Sequence, residues 1–264
     1  MKINLGNLKN LAHEVDAAPA GWFKKWFDSS FYHQLYAHRS QKEAADFINE
    51  LLDKLQPEPA ARMLDLGCGA GRHAKFLASK GFSVTGLDLA GSSIQAARQY
   101  ETTNLQFYRH DMRVPFGASY FDYVFNFFTS FGYFDTDAEN HDVIRNIANT
   151  LKPGGILVMD YLNVAYSEAH LVPREEKEID GVAYHISRHA DEKHFYKKIV
   201  IDNLQADGPF EYTERVAKLS LNDFQVLFEV HGLILLTVFG DYQLNDYDVA
   251  TSPRLILHAQ KKTK

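Results

Sequence analysis

The stretch Leu64-Asp65-Leu66-Gly67-Cys68-Gly69-Ala70-Gly71-Arg72-His73 decides the fold. Met63 to Leu66 is a short apolar run of the kind a buried strand makes, Gly67 to Gly71 reads as a tight turn, and Arg72 to Lys80 as a helix closed by Gly81. Glycines at a strand-to-helix turn let a ligand approach the backbone closely and expose the unpaired amides of the helix N-terminus to it. Asp88 ends the next strand, seventeen residues after Gly71, where a carboxylate can accept both hydroxyls of an adenosine ribose. Turn and acid together fix two ends of one nucleoside ligand.

Outward from this unit the pattern repeats. Residues 82–87, 105–109, 121–127 and 156–162 read as strands, and 92–100 and 138–151 as helices. Strands alternating with helices of this length demand right-handed crossovers and a mainly parallel sheet covered on both faces. Upstream, Ala44, Phe47, Ile48, Leu51, Leu52 and Leu55 recur at helical spacing until Pro57 and Pro59. Before them, aromatics at 22, 23, 26, 27, 31, 32 and 36 are too dense to lie free in water and are expected to pack as a lid. After Val172 the texture changes. Pro173 to Asp180 is strongly charged, and 182–188, 195–202 and 212–218 alternate as two or three antiparallel strands. Helix 221–229 and strands 233–239 and 254–260 follow, the last two joined by a loop and so expected as an antiparallel hairpin.

The expected fold is therefore α/β: a Rossmann-like, mostly parallel seven-stranded sheet with a terminal antiparallel hairpin, an N-terminal helical lid and an inserted small antiparallel β subdomain. The boundaries expected are 1–56 for the lid, 57–171 for the first part of the cofactor-binding domain, 172–218 for the insertion and 219–264 for the remainder.

The chain has 264 residues, 28 Lys+Arg against 34 Asp+Glu, a net charge of -6, and 45% apolar residues. These values exclude global disorder and a chain-wide basic surface, so no nucleic-acid partner is expected. One cysteine, Cys68, makes neither an intrachain disulfide nor a multi-cysteine metal site, the twelve histidines show no compact ligand spacing, and no metal is expected. No signal-peptide stretch opens the chain and no apolar run approaches the roughly 20 residues that cross a bilayer, so the expected setting is cytoplasmic, away from membranes.

The ligand class follows from departures within the turn. A dinucleotide site wants a third glycine where Arg72 stands, and a P-loop wants G-K-[ST], which is missing. Asp65, just before the turn, repels phosphates and suits a cationic amino-acid moiety. A positively charged, phosphate-free adenosine cofactor fits best.

Taken with GLDLAGSSIQAAR at 86–98, Arg109-His110-Asp111-Met112, Phe121-Asp122-Tyr123-Val124 and Leu151-Lys152-Pro153-Gly154-Gly155, the turn resembles the class I S-adenosylmethionine-dependent methyltransferases over residues 60–162. The resemblance implies S-adenosyl-L-methionine as cofactor and S-adenosyl-L-homocysteine as product. It implies that Asp65, Gly67, Cys68 and Gly69 lie along the methionine moiety, that Asp88 takes the ribose with Leu89 beside the adenine, and that Asp111 accepts from the adenine amino group with Met112 against the ring. Asn126 and Phe127 would line the methyl-donor side.

The segment Asn126-Phe127-Phe128-Thr129-Ser130-Phe131-Gly132-Tyr133-Phe134 and Tyr36-Ala37-His38-Arg39 are similar to a small-molecule branch that includes amino-sugar N-methyltransferases. That branch implies Tyr32, Tyr36 and Arg39 as roof and carboxylate partners, Arg39 because its planar fork bonds both oxygens.

Tyr133, Asn163, Thr129 and Ser130 follow strands on the carboxyl edge of the sheet and are the expected substrate-facing residues. No catalytic residue is singled out, because transfer from a sulfonium needs alignment and dryness before it needs a dyad. A small-molecule substrate, an amine before a phenol or hydroxyl, and a monomer or homodimer are expected. The rival readings are an NAD-dependent oxidoreductase and a non-catalytic cofactor-binding assembly subunit.

Overall fold

The structure is a computed structural model that describes residues 18–36, 41–203 and 209–263. Short helices α1 (Trp22–Trp26) and α2 (Ser30–Leu35) precede α3 (Gln41–Leu55). Then come β1 (Arg62–Leu66), α4 (Arg72–Ser79), β2 (Ser83–Asp88), α5 (Gly91–Arg98), β3 (Leu105–Arg109), β4 (Phe121–Asn126), α6 (Asp137–Thr150) and β5 (Leu151–Leu162). After α7 (Val164–Ala169) follow β6 (Arg174–Ile179), β7 (Val182–Ala190), β8 (His194–Asn203) and β9 (Phe210–Ala217), then α8 (Leu221–Val230), β10 (Leu233–Phe239) and β11 (Arg254–Lys261).

The main sheet has seven strands in the order β10-β11-β5-β4-β1-β2-β3. β1 to β5 run parallel, and β11 pairs antiparallel with both β5 and β10, giving the hairpin expected from the missing helix. Residue alternation along these strands sorts side chains to two faces. Leu64, Leu66, Val124, Leu157 and Met159 join the core beneath α6 and α8, whose Val143, Ile144, Ile147, Phe224 and Phe228 meet them. Met63, Val84, Phe125 and Val158 join the core beneath α3, α4 and α5, with Phe47, Ile48, Leu51, Ala74, Leu77, Ile94 and Ala97. Neighbouring strands with connections to opposite faces meet at β1 and β4, so the crevice beyond their carboxyl ends is where such a sheet holds a ligand.

The structure departs from the sequence reading at two places. Helix α3 packs in the core that covers the sheet and touches α4, so it sits in the α/β layers, whereas α1 packs against β9 of the insertion. The charged stretch after Pro173 is a strand, and the separate antiparallel sheet has four members, β6-β7-β8-β9. REEKEI keeps a period of two with half-buried and exposed positions in turn, which an edge strand tolerates and which reads as a charge run by composition alone. The inserted sheet turns Tyr184, Ile186, Ile199 and Ile201 into the same core as Trp22, Phe23 and Trp26 of α1. Helices α1 and α2 and the insertion therefore share one apolar interior with the first face of the main sheet. This N-terminal segment is seated by ring contacts: Trp26 on Tyr212 at 4.6 Å, Trp22 on Tyr133 at 5.4 Å and Phe27 on Tyr133 at 5.2 Å. Each such pair adds about 0.5–1.5 kcal/mol beyond its burial, which helps to hold these two short helices against the body.

Candidate active site

A cavity of about 360 Å³ opens at the carboxyl ends of β1, β2 and β4, roofed by α1 and α2. The turn after β1 forms its floor through Gly67, Cys68 and Gly69. Gly67 is required there: φ is +81°, and a Cβ would stand 2.7 Å from the Cβ of Ser130. At Gly69, with φ +54°, a Cβ would meet nothing within 4 Å, so the space in front of the turn is open to a ligand. Cys68 is buried, and desolvation pushes its thiol well above the ordinary range, leaving it a neutral wall residue.

Asp88 stands at the end of β2, where its two oxygens accept the N–H groups of Gly69 and Ala90, both at 2.8 Å. Burial raises its pKa, against these amide hydrogen bonds that favour the anion. Each oxygen keeps a lone pair, and the carboxylate links the turn to the start of α5. Leu89 lies beside it on the wall. Asp111 and Met112 form the adjoining side after β3. Asp111 is gripped by Arg113, whose Nε and Nη2 reach its two oxygens at 3.0 and 2.6 Å, and this hydrogen bonding holds its pKa low. Arg113 also donates to Glu139, so Asp111 is an oriented acceptor anchored to α6.

Phe127, Ser130 and Tyr133 line the side beyond β4, and Tyr32 and Tyr36 line the roof. Arg39 lies outside the described residues. Four of the residues named from sequence do not line the cavity. Asp65 is 1% exposed and its Oδ2 accepts the N–H of Ala74 at 3.2 Å, so it caps α4, whose N-cap Gly71 has no side chain to do so. Asn126 is buried and donates to the carbonyl of Leu66 at 2.7 Å, tying β4 to β1. Thr129 accepts from Arg254 Nη2 at 2.8 Å. Asn163 donates to the carbonyls of Val249 and Ser252 at 2.9 and 2.8 Å, fixing the loop before β11. All four sit close to strand ends, where buried polar side chains are also needed to satisfy loop backbone, and that need won.

Burial raises the Asp65 carboxyl to about 7, with the Asp88 charge adding to the rise. Because the folded value lies above the unfolded one, the proton held there stabilises the fold fully below pH about 4, and this stabilisation is lost as the pH rises to about 7. Asp65→Asn keeps an acceptor for Ala74 without the charge. We expect its melting temperature to exceed that of wild type at pH 8 and the gap to close at pH 4; a pH-independent difference in scanning calorimetry contradicts this.

Sequence reasoning missed several wall residues. His73, second residue of α4, stacks on Phe128 at 5.2 Å. His33 bonds Ser92 Oγ at 3.1 Å, joining α2 to α5. Glu214 of β9 reaches the cavity from the inserted sheet. Its signal was present in sequence: Tyr212, Glu214 and Val216 share one face of β9 by alternation, and two of the three are apolar core neighbours.

Phe128 and Thr129 have φ of +56° and +57°, unusual for side chains of their size. Asp160, fully buried on β5, accepts the N–H of Phe128 at 2.8 Å on its carboxylate and that of Thr129 at 3.0 Å on its carbonyl. Arg254 Nε donates to the same carboxylate at 2.7 Å and Tyr242 at 3.1 Å. A buried ion pair thus holds the strained turn that carries Phe127 and Ser130 to the cavity.

Fold and site together define an α/β domain with a cavity between a glycine turn and a strand-end acid. Residues 63–155 match the methyltransferase domain family. A putative methyltransferase of Geobacillus sp. (strain WCH70) is 32% identical over 128 residues, 47% of this chain and 51% of the relative. The putative methyltransferase YqeM of Bacillus subtilis is 27% identical over 88% of this chain and 95% of its own. The dTDP-3-amino-3,4,6-trideoxy-alpha-D-glucopyranose N,N-dimethyltransferase of Streptomyces venezuelae is 29% identical over 49% of this chain and 54% of its own. The chain thus spans about half the length of the first and third of these relatives. Among solved structures, an S-adenosylmethionine-dependent methyltransferase from Clostridium acetobutylicum superposes with a TM-score of 0.73 at 17% identity, covering 88% of this chain and 96% of its own. Residues 63–155 thus match a methyltransferase domain, and the fold is that of an S-adenosylmethionine-dependent methyltransferase of known structure. Among the described residues, no helix is long and apolar enough to cross a membrane.

Proposed function

We propose that the protein transfers a methyl group from S-adenosylmethionine to a small-molecule amine. The observation that carries this reading is Asp88 at the cavity wall, bonded to the Gly69 amide beside open space in front of the turn. Donors and acceptors are spaced there for a sugar with vicinal hydroxyls, and Asp111 with Met112 supplies a hydrogen-bonding edge and an apolar face for a base. The turn offers Arg72 where a pyrophosphate-binding helix needs its close-packing glycine, which disfavours the oxidoreductase reading.

S-adenosylmethionine, when bound, supplies an electrophilic methyl on a positively charged sulfur. The chain's own residues then have three tasks. Gly67, Cys68 and Gly69 carry the amino-acid end, Asp88 with Leu89 and Asp111 with Met112 orient the nucleoside, and Phe127, Tyr32, Tyr36 and Tyr133 exclude water from the reacting side. An amine must present a neutral lone pair along the line of displacement, and a carboxylate at the acceptor side can take its proton; a phenol asks for a stronger base. The dimethyltransferase relative acts on an amino group by its name, and this supports an amine here too. We also propose α1, α2 and the sheet β6–β9 as the acceptor-facing part, with the boundaries expected from sequence except that α3 joins the α/β layers. A methyl-labelled S-adenosylmethionine assay against panels of amines and phenols tests the reading. Label in amine products is expected; label confined to phenols contradicts it.

A further inference from the structure

Among the described residues, Glu214 is the one acid that the inserted sheet brings to the cavity, and its surroundings are unusual. Its side chain is 16% exposed. Oε1 carries its recorded protein contacts: the Trp26 indole N–H donates at 2.6 Å, the Tyr36 hydroxyl at 3.1 Å, and Lys197 Nζ stands at 3.8 Å. Oε2 has no hydrogen-bond partner among the described residues. Tyr36 is itself bonded by Lys197, and Tyr32 packs against both ring donors, Trp26 at 5.5 Å and Tyr36 at 4.9 Å, in a cavity that Phe27 and Tyr133 also line. A second cavity, of about 570 Å³ between α7 and the inserted sheet, shares Glu214 and Lys197 with this corner, so an acceptor larger than its reacting group has room to continue past it.

A carboxylate held at one oxygen, open at the other and set among aromatic rings matches an alkylammonium ion. The charge answers the carboxylate, an N–H meets the free oxygen, and the methylene or methyl groups meet the rings. A neutral hydroxyl gains none of the first and less of the last. Leaving a buried carboxylate facing a neutral ligand also costs its hydration without return.

We propose that Glu214 is a specificity-determining residue that binds the acceptor as a cationic amine through Oε2, with Lys197 as the internal cation that keeps the carboxylate in place and competes with the acceptor. This rests on the methyl-transfer reading above and goes further in naming the residue that sets the acceptor's charge.

The test uses the full chain saturated with S-adenosylhomocysteine and two probes of one shape, N-methylbenzylammonium and uncharged benzyl methyl ether, followed by ligand-observed NMR. Wild type is expected to bind the cation about tenfold or more tightly than the ether, the scale of a charge-assisted hydrogen bond. Glu214→Gln, which keeps an acceptor for Trp26 and Tyr36, is expected to abolish the preference while S-adenosylhomocysteine affinity stays within threefold of wild type, roughly the limit of an indirect effect. Lys197→Met is expected to increase the preference. Glu211→Gln, on the exposed side of the same strand, is expected to change nothing. Equal binding of the two probes by wild type, or a preference that survives in Glu214→Gln, overturns the proposal. Loss of S-adenosylhomocysteine binding in Glu214→Gln also overturns it, by assigning the carboxylate to the cofactor. If Glu214→Gln does not fold, Lys197→Met decides, and an unchanged or reduced preference there overturns the proposal. A wild-type chain that binds no S-adenosylhomocysteine refutes the methyl-transfer reading itself, an outcome distinct from these.

Discussion

Asp88→Ala is expected to weaken S-adenosylhomocysteine binding by about 5- to 150-fold, equivalent to about 1–3 kcal/mol, as calorimetry would read it. Two losses add. The ribose hydroxyls lose their acceptor, and the amides of Gly69 and Ala90, each 2.8 Å from a carboxylate oxygen, lose the partner that joins the glycine turn to α5. Asp88→Asn separates the two. The two N–H groups bond different oxygens, so an amide sets its NH2 donor against one of them and its stability should fall with its affinity, whereas Asp88→Glu keeps the charge and displaces it. Wild-type affinity in Asp88→Ala removes the ribose role.

Asp160→Ala is expected to cost about 3–5 kcal/mol of stability in urea unfolding, because it leaves Arg254 without its partner in a site with little water. Asp160 is fully buried and Arg254 Nε lies 2.7 Å from it. The same carboxylate accepts the N–H of Phe128, so the substitution also frees a turn whose residues 128 and 129 sit at positive φ. Relaxation of that turn moves Phe127 and Ser130, both cavity walls, and cofactor affinity should fall with stability. Replacing both partners, in Asp160→Leu with Arg254→Met, removes the stranded charge and should recover part of the loss. A loss below about 1 kcal/mol in Asp160→Ala would mean that the pair and the turn are independent of the fold.

The sheet was legible because its signals are local. Met63 to Leu66, the glycines and Asp88 occupy one β-turn-α-β unit, and α5, α6 and α8, each next to a strand of the main sheet, are long enough to have a period. What lay outside those windows was harder to read. The α3 face of Phe47, Ile48 and Leu51 is apolar whether it covers a ligand or a sheet, and only its contact with α4 assigns it to the sheet. Strand β6 carries five charges in six residues, and its pairing with β7 is set by Tyr184 and Ile186 on the partner strand, far from its own composition.

The site divided the same way. Gly67, Cys68, Gly69, Asp88, Leu89, Asp111 and Met112 lie on the cavity because the chain leaves the sheet at each of those points. Asp65 and Asn163 stand equally near strand ends, yet an uncapped helix and an unsatisfied loop claimed them. Glu214 differs: its face of β9 is legible by alternation, but its place on the cavity depends on Tyr36, 178 residues away in sequence.

The most direct measurement is a calorimetric titration of the purified chain with S-adenosylhomocysteine and, separately, with NAD. A site built on the glycine turn and Asp88 for a phosphate-free adenosine ligand should bind S-adenosylhomocysteine with one-to-one stoichiometry at micromolar or lower dissociation constant and give no heat with NAD. Saturable binding of NAD alone would contradict it.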